Sequence, residues 1–146
     1  EQGAVLVACP TYAGKEYVYV RLAPATNSNA AANGDVFAWA GVGTVTAPTY
    51  LVSNILAGSG SSTALLNNPP AGVAVGVITE GNYGFLLVRG RHYAVKAVAT
   101  VTLGFSQKIS ATSASVSNAG AFTDGVVGEA LSTISGGIIT MNVRVL

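Results

Sequence analysis

Cysteine, histidine and tryptophan each occur once, as Cys9, His92 and Trp39, and charge is scarce. One cysteine excludes an intrachain disulfide. Cys9 follows Val5-Leu6-Val7-Ala8, precedes Pro10 and reads as a small buried hydrophobe. As a nucleophile it would need a base; His92 is the one histidine, and no motif links the two. Charged residues make up 9% of the 146 residues, far below the usual quarter. The apolar share is 50%, which excludes disorder. Low charge with abundant Gly, Ala, Ser, Thr and Val also speaks against a free, highly soluble cytosolic enzyme. It suits a protein that lives in contact with others of its kind. Net charge is +1, and the seven Lys and Arg are scattered. Without a basic run, direct DNA or RNA binding has no electrostatic footing. No apolar run reaches the roughly 18 residues of a membrane span. Glu1 in place of an initiator Met implies a trimmed, processed or incomplete start, and no signal peptide is visible.

Catalytic signatures are missing too. Gly41-Val42-Gly43 and Gly58-Ser59-Gly60 lack the strand–turn–helix context of a dinucleotide site and lack a Walker lysine. There is no Gly-x-Ser-x-Gly elbow. One His, one Cys and dispersed carboxylates offer no zinc spacing. Glu16, Asp35, Glu80, Asp124 and Glu129 lie beside turns or at strand ends, where carboxylates cap or solvate the backbone. The reading is a non-enzyme with no catalytic residue, metal or cofactor.

What is present is strand. Residues 72–96, GVAVGVITEGNYGFLLVRGRHYAVK, organise the chain. Val73, Val75 and Val77 alternate with small or apolar partners and predict a strand. Glu80-Gly81-Asn82-Tyr83-Gly84 supplies the residues that tolerate positive φ in a tight reversal. Phe85-Leu86-Leu87-Val88 returns as a strand apolar on both faces, hence buried. Arg89-Gly90-Arg91 interrupts it, and alternation resumes through Tyr93 and Val95.

Elsewhere, residues 16–23, EYVYVRLA, form the best strand of the first half. Val18, Val20 and Leu22 face inward, while Tyr17, Tyr19 and Arg21 share a half-exposed face. That face is either an ordinary outer sheet face or, from its residue types, an interface. Residues 24–34 form a loop ending in the Asn33-Gly34 turn signal. Residues 35–40 are a strand with Phe37 and Trp39 on one face; Trp39 either packs in the core or binds. Residues 50–56 suit a short helix or a strand, and 57–70 a surface loop or hinge. Residues 105–111 follow a further short segment at 100–104. Residues 110–120 are a polar loop or irregular edge, 126–131 a strand, and 133–137 a turn. Residues 138–146 close the chain with Ile139, Met141, Val143 and Val145 on one face. Val75-Gly76 and Val127-Gly128 are followed at equal spacing by Gly84 and Gly136, an echo of two similar hairpins.

The expected fold is therefore all-β: a small barrel or sandwich of β-hairpins or a meander, with long Gly/Ser/Ala-rich loops and possible helix only at 50–56. The length suits one domain, with a less regular N-terminal lobe (1–57) and a barrel-like C-terminal lobe (71–146).

The half from residue 71 to 146 resembles the capsid decoration, or cement, proteins encoded beside the major capsid protein of tailed bacteriophages. Val75-Gly76-Val77 leading into Gly81-Asn82-Tyr83-Gly84-Phe85, then Val88-Arg89-Gly90-Arg91, carries the resemblance. The strand at 93–100, Asn118-Ala119-Gly120-Ala121 and Val126-Val127-Gly128-Glu129-Ala130-Leu131 continue it. The resemblance implies a non-enzymatic virion protein on the outside of an icosahedral shell. Its partners would be the major capsid protein and itself, often as a homotrimer. The alternative is another virion or surface β-module: a shell subunit, a tail or fibre domain, or an adhesin or pilin-like subunit. Trp39 near Asp35 is the one hint of an adhesin.

The candidate interface comprises Tyr17, Tyr19 and Arg21, with Tyr83, Arg89 and Arg91 from the resembling stretch and Val5, Leu6 and Val7 from the start of the chain. Val5-Leu6-Val7-Ala8 either leaves its domain to add a strand to a neighbour's sheet edge or is an edge strand of its own barrel.

Overall fold

The computed structural model describes residues 14–23, 30–40, 51–54, 69–98, 100–110, 114–119 and 125–145. Val5, Leu6, Val7 and Cys9 lie outside the described residues. Nine strands form in chain order: β1 (Glu16–Leu22), β2 (Val36–Trp39), β3 (Leu51–Ser53), β4 (Pro70–Ala74), β5 (Tyr83–Lys96), β6 (Ser106–Ile109), β7 (Val116–Asn118), β8 (Val126–Ala130) and β9 (Ile138–Arg144). No helix occurs among the described residues. The segment at 50–56 contributes β3, so its strand reading holds and its helix reading does not. Strand wins because Leu51 and Val52 pair with β1 on one side, and Val52 and Ser53 with β2 on the other.

The strands run β1-β3-β2-β4-β5-β9-β8-β6-β7, and β1 also pairs with β5. That extra pairing closes β1, β3, β2, β4 and β5 into a barrel, which removes their free edges. Within the ring β1 and β3 are parallel and the other pairs antiparallel. The barrel takes strands from both sides of residues 57–69. Its interior holds Val18, Val20, Leu22, Phe37, Val52 and Leu86, with Ile78 and small alanines completing it. Trp39 is half-buried against this core. The inward set of β1 is the one its period of two predicts.

β5 is fourteen residues long and belongs to two sheets. Its first half pairs with β1 and β4, its second with β9. Arg89-Gly90-Arg91 therefore does not interrupt the strand. Gly90, at φ +119°, bends it instead, so that Arg89 pairs with Glu16 on one side and Arg144 on the other. From β5 the second sheet runs through β9, β8 and β6 to β7, and a parallel bridge from Ala97 to Val116 brings its far edge back towards the end of β5. The segment expected as a polar loop or irregular edge at 110–120 contains the edge strand β7, because Val116, Ser117 and Asn118 find partners on β6. The sheet curls around Ile139, Met141 and Val143 of β9, Val127 of β8 and Val95 of β5, and packs them on Val36, Val73 and Leu87. Leu86 faces the barrel and Leu87 the second core, which explains why both neighbours are apolar.

Val75 and Val77 depart from expectation. β4 ends at Ala74, and both valines are exposed. Ala74 N–H donates to Asp35 O, and Ala74 O accepts from Gly34 N–H and lies 3.0 Å from His92 Nε2. Beyond it the chain leaves the sheet, and Ile78 forms a bridge with Ala31. The reversal follows at 79–82, where Asn82 N–H donates to Thr79 O and Gly81 has φ +76°.

Candidate functional site

The outer surface of the β1–β5 pair carries an aromatic ladder. Tyr19 lies opposite Phe85 and Arg21 opposite Tyr83. Side chains opposite each other on antiparallel strands stand about 5 Å apart at Cβ, close enough for rings to touch. Tyr19 and Phe85 meet with ring centroids 5.0 Å apart at 49°, and Tyr19 stacks on Tyr83 at 5.5 Å and 15°. The Arg21 guanidinium sits 5.8 Å from the Tyr83 ring centre, and its Nε–H donates to Gly81 O at 2.9 Å. The arginine is thus held by the turn and by a ring. Phe85 is 40% and Tyr83 48% exposed. Phe85 was expected to be buried; its neighbours Leu86 and Leu87 fill the two cores, and it shares the outer face of Tyr83 two residues earlier. That period of two was the signal available for it.

Tyr17 is on the same strand face but has another setting. It packs partly against the core between the sheets, because Leu87 opposite it belongs to that core. Arg89 pairs with Glu16 at 3.2 Å. Both side chains are more than a third exposed, and such a pair contributes little. Arg91 points into a cleft of about 250 Å³ whose wall also includes Tyr17, Lys15 and Tyr93. The predicted interface residues therefore separate into the ladder (Tyr19, Arg21, Tyr83) and the cleft (Tyr17, Arg91), with Arg89 between them.

His92 lies beneath the cleft, buried. Its Nδ1 accepts from Ala94 N–H at 3.1 Å, and Nε2–H donates to Ala74 O at 3.0 Å. One nitrogen must accept and the other donate, which describes neutral imidazole. Burial, together with the nearby Lys15 charge, holds its pKa below the ordinary histidine value, against the raising effect of the Ala74 carbonyl. Glu16, Asp35 and Glu80 each engage a backbone N–H or a basic side chain. Asp35 accepts from Ala32 N–H at 2.8 Å and pairs with Lys96, and Glu80 accepts from Ala30 N–H at 2.8 Å. Asp35 is thus engaged by Ala32 and Lys96. Among the described residues no three His, Cys, Asp or Glu gather into a possible metal site.

The architecture defines a class: an all-β module in which a closed five-stranded barrel shares one long strand with a curled second sheet. It is similar to the structure of the N base of head fiber gp8.5 in bacteriophage phi29, with a TM-score of 0.55 and 12% sequence identity, over 89% of this chain and 96% of that one. At that identity the likeness is one of fold. No protein-family model and no curated protein matches the chain.

Proposed function

We propose that this chain is a non-enzymatic structural protein of a bacteriophage virion that binds the outside of the head. The observation that carries the reading is the likeness to a head fiber base across 89% of the chain. The low charge and the resemblance to cement proteins point the same way. The finer reading is decoration: the protein docks on the major capsid protein as a homotrimer, through the ladder of Tyr19, Arg21, Tyr83 and Phe85. A ligand that binds the assembled shell and not its separated subunits stabilises the shell by mass action, and repeated copies on one lattice gain from multivalency.

A second reading is favoured by one observation, that the fold neighbour is the base of a fiber. In it the chain anchors a projecting appendage and leaves shell stability unchanged. Both are tested by adding the purified protein to heads lacking it, then following co-sedimentation and the melting temperature of the shell. Binding with a raised melting temperature supports the cement role. Binding with an unchanged one supports the fiber base. Absence of binding overturns both.

A further inference from the structure

The cleft beside β5 has a charge pattern that the docking surface leaves unexplained. Of the chain's seven Lys and Arg, two converge here, Lys15 and Arg91. Neither has a carboxylate partner among the described residues, whereas Arg89 pairs with Glu16 and Lys96 with Asp35. Among the described residues no acidic side chain lines the cleft. Two like charges at one opening repel each other, and His92 below them is engaged through both nitrogens as a neutral ring. The rest of the wall is mostly apolar or aromatic, from Val75, Leu87, Ala94, Tyr17 and Tyr93, with Asn33 as its one neutral amide.

The backbone helps to set Lys15 there. A Cβ on Gly90 would come within 2.9 Å of Lys15 Cγ and 3.2 Å of its Cα. Glycine at that point lets the lysine stem cross β5, and its Nζ lies 5.9 Å from the centre of the Tyr93 ring. Tyr93 is itself 66% exposed, so the cleft is open to a ligand from solution. A volume of about 250 Å³ is small for a ligand site and suits a compact molecule.

We infer that this cleft is a binding site for a small carboxylate carried on an apolar or aromatic body, held by Lys15 and Arg91 and packed against Tyr17 and Tyr93. The guanidinium fork of Arg91 matches the two oxygens of a carboxylate. The ammonium of Lys15 supplies the second charge, and the walls accept the body.

The test is an NMR titration of the full chain with sodium benzoate at constant ionic strength, reading the His92 and Tyr93 ring signals. Benzyl alcohol serves as the uncharged isostere and inorganic phosphate as the competing anion. The expected result is a saturable shift with benzoate, and affinity about tenfold weaker in each of Lys15→Met and Arg91→Gln, as loss of a charge-assisted hydrogen bond implies. Both variants must keep the wild-type amide spectrum elsewhere; if either does not, Lys15→Arg and Arg91→Lys replace them, with a smaller loss expected. The inference is overturned if benzoate gives no saturable shift, if benzyl alcohol binds equally well, if phosphate binds more tightly than benzoate, or if the variants bind benzoate as the wild type does.

Discussion

Replacing Gly34 with alanine should damage the fold where the two sheets meet. Gly34 has φ +87°, and a Cβ built there would lie 1.8 Å from Ala94 O and 2.9 Å from its carbonyl carbon. The obstacle is backbone, so a side-chain rotation cannot relieve it. A left-handed conformation costs an alanine about 1–2 kcal/mol, and forcing an extra methyl into packed structure adds about 1–3 kcal/mol. If β5 moves away, the bond from Lys96 N–H to Gly34 O (3.0 Å) and that from Gly34 N–H to Ala74 O (2.9 Å) weaken too; each is worth about 1 kcal/mol. The sum is about 2–7 kcal/mol, a large part of the roughly 5–15 kcal/mol that holds a domain together. Melting should fall by about 5–25 °C. Gly81→Ala is the matched control, because Gly81 has φ +76° and nothing within 4 Å of its Cβ position. It carries the conformational cost without the clash and should lose only about 1–2 kcal/mol. Urea unfolding of both variants separates the two contributions. If Gly34→Ala falls within about 1 kcal/mol of Gly81→Ala, the approach of Gly34 to Ala94 is not the constraint described.

Other outcomes follow from the same structure. Because the folded-state pKa of His92 is lowered, the unfolded chain binds the proton more readily. The His92 contribution is complete above the unfolded value near 6.5 and declines as pH falls below it; unfolding free energies at pH 7.5 and 5.5 should diverge more for the wild type than for His92→Gln, and equal pH slopes would refute this. Tyr83→Ala with Phe85→Ala should weaken binding to heads by at least tenfold while melting changes little, since both rings are partly exposed; unchanged binding would remove the ladder from the interface. Deleting residues 1–8 should leave an isolated chain of near-normal stability that has lost most of its binding to the shell or to neighbouring copies; a chain that no longer folds would return that segment to the domain core.

Much of the fold could be read from periodicity. β1 and β9 alternate cleanly, and their inward sets, Val18-Val20-Leu22 and Ile139-Met141-Val143, are buried as alternation requires. The turn signals Asn33-Gly34 and Gly81-Asn82 coincide with positive-φ glycines. What could not be read is how one strand serves two sheets. Arg89-Gly90-Arg91 looks like a break, yet the neighbouring β1 and β9 supply hydrogen-bond partners on both sides, and the glycine only bends the strand. Val75 and Val77 alternate like strand residues, but no neighbour remains to pair them. Of the site, Tyr19 and Arg21 were visible on their strand. Phe85 was hidden inside an apolar run, and the meeting of Lys15 with Arg91 depends on contacts between segments far apart in sequence.

The outer surface of a phage head is the place proposed for this module. Cryo-electron microscopy of heads prepared with and without the protein tests it most directly. The expected result is added density outside the shell, fitted by the two-sheet module with the Tyr19–Tyr83–Phe85 face against the capsid subunits. Density confined to the tail or to the inside of the shell, or heads indistinguishable with and without the protein, would contradict it.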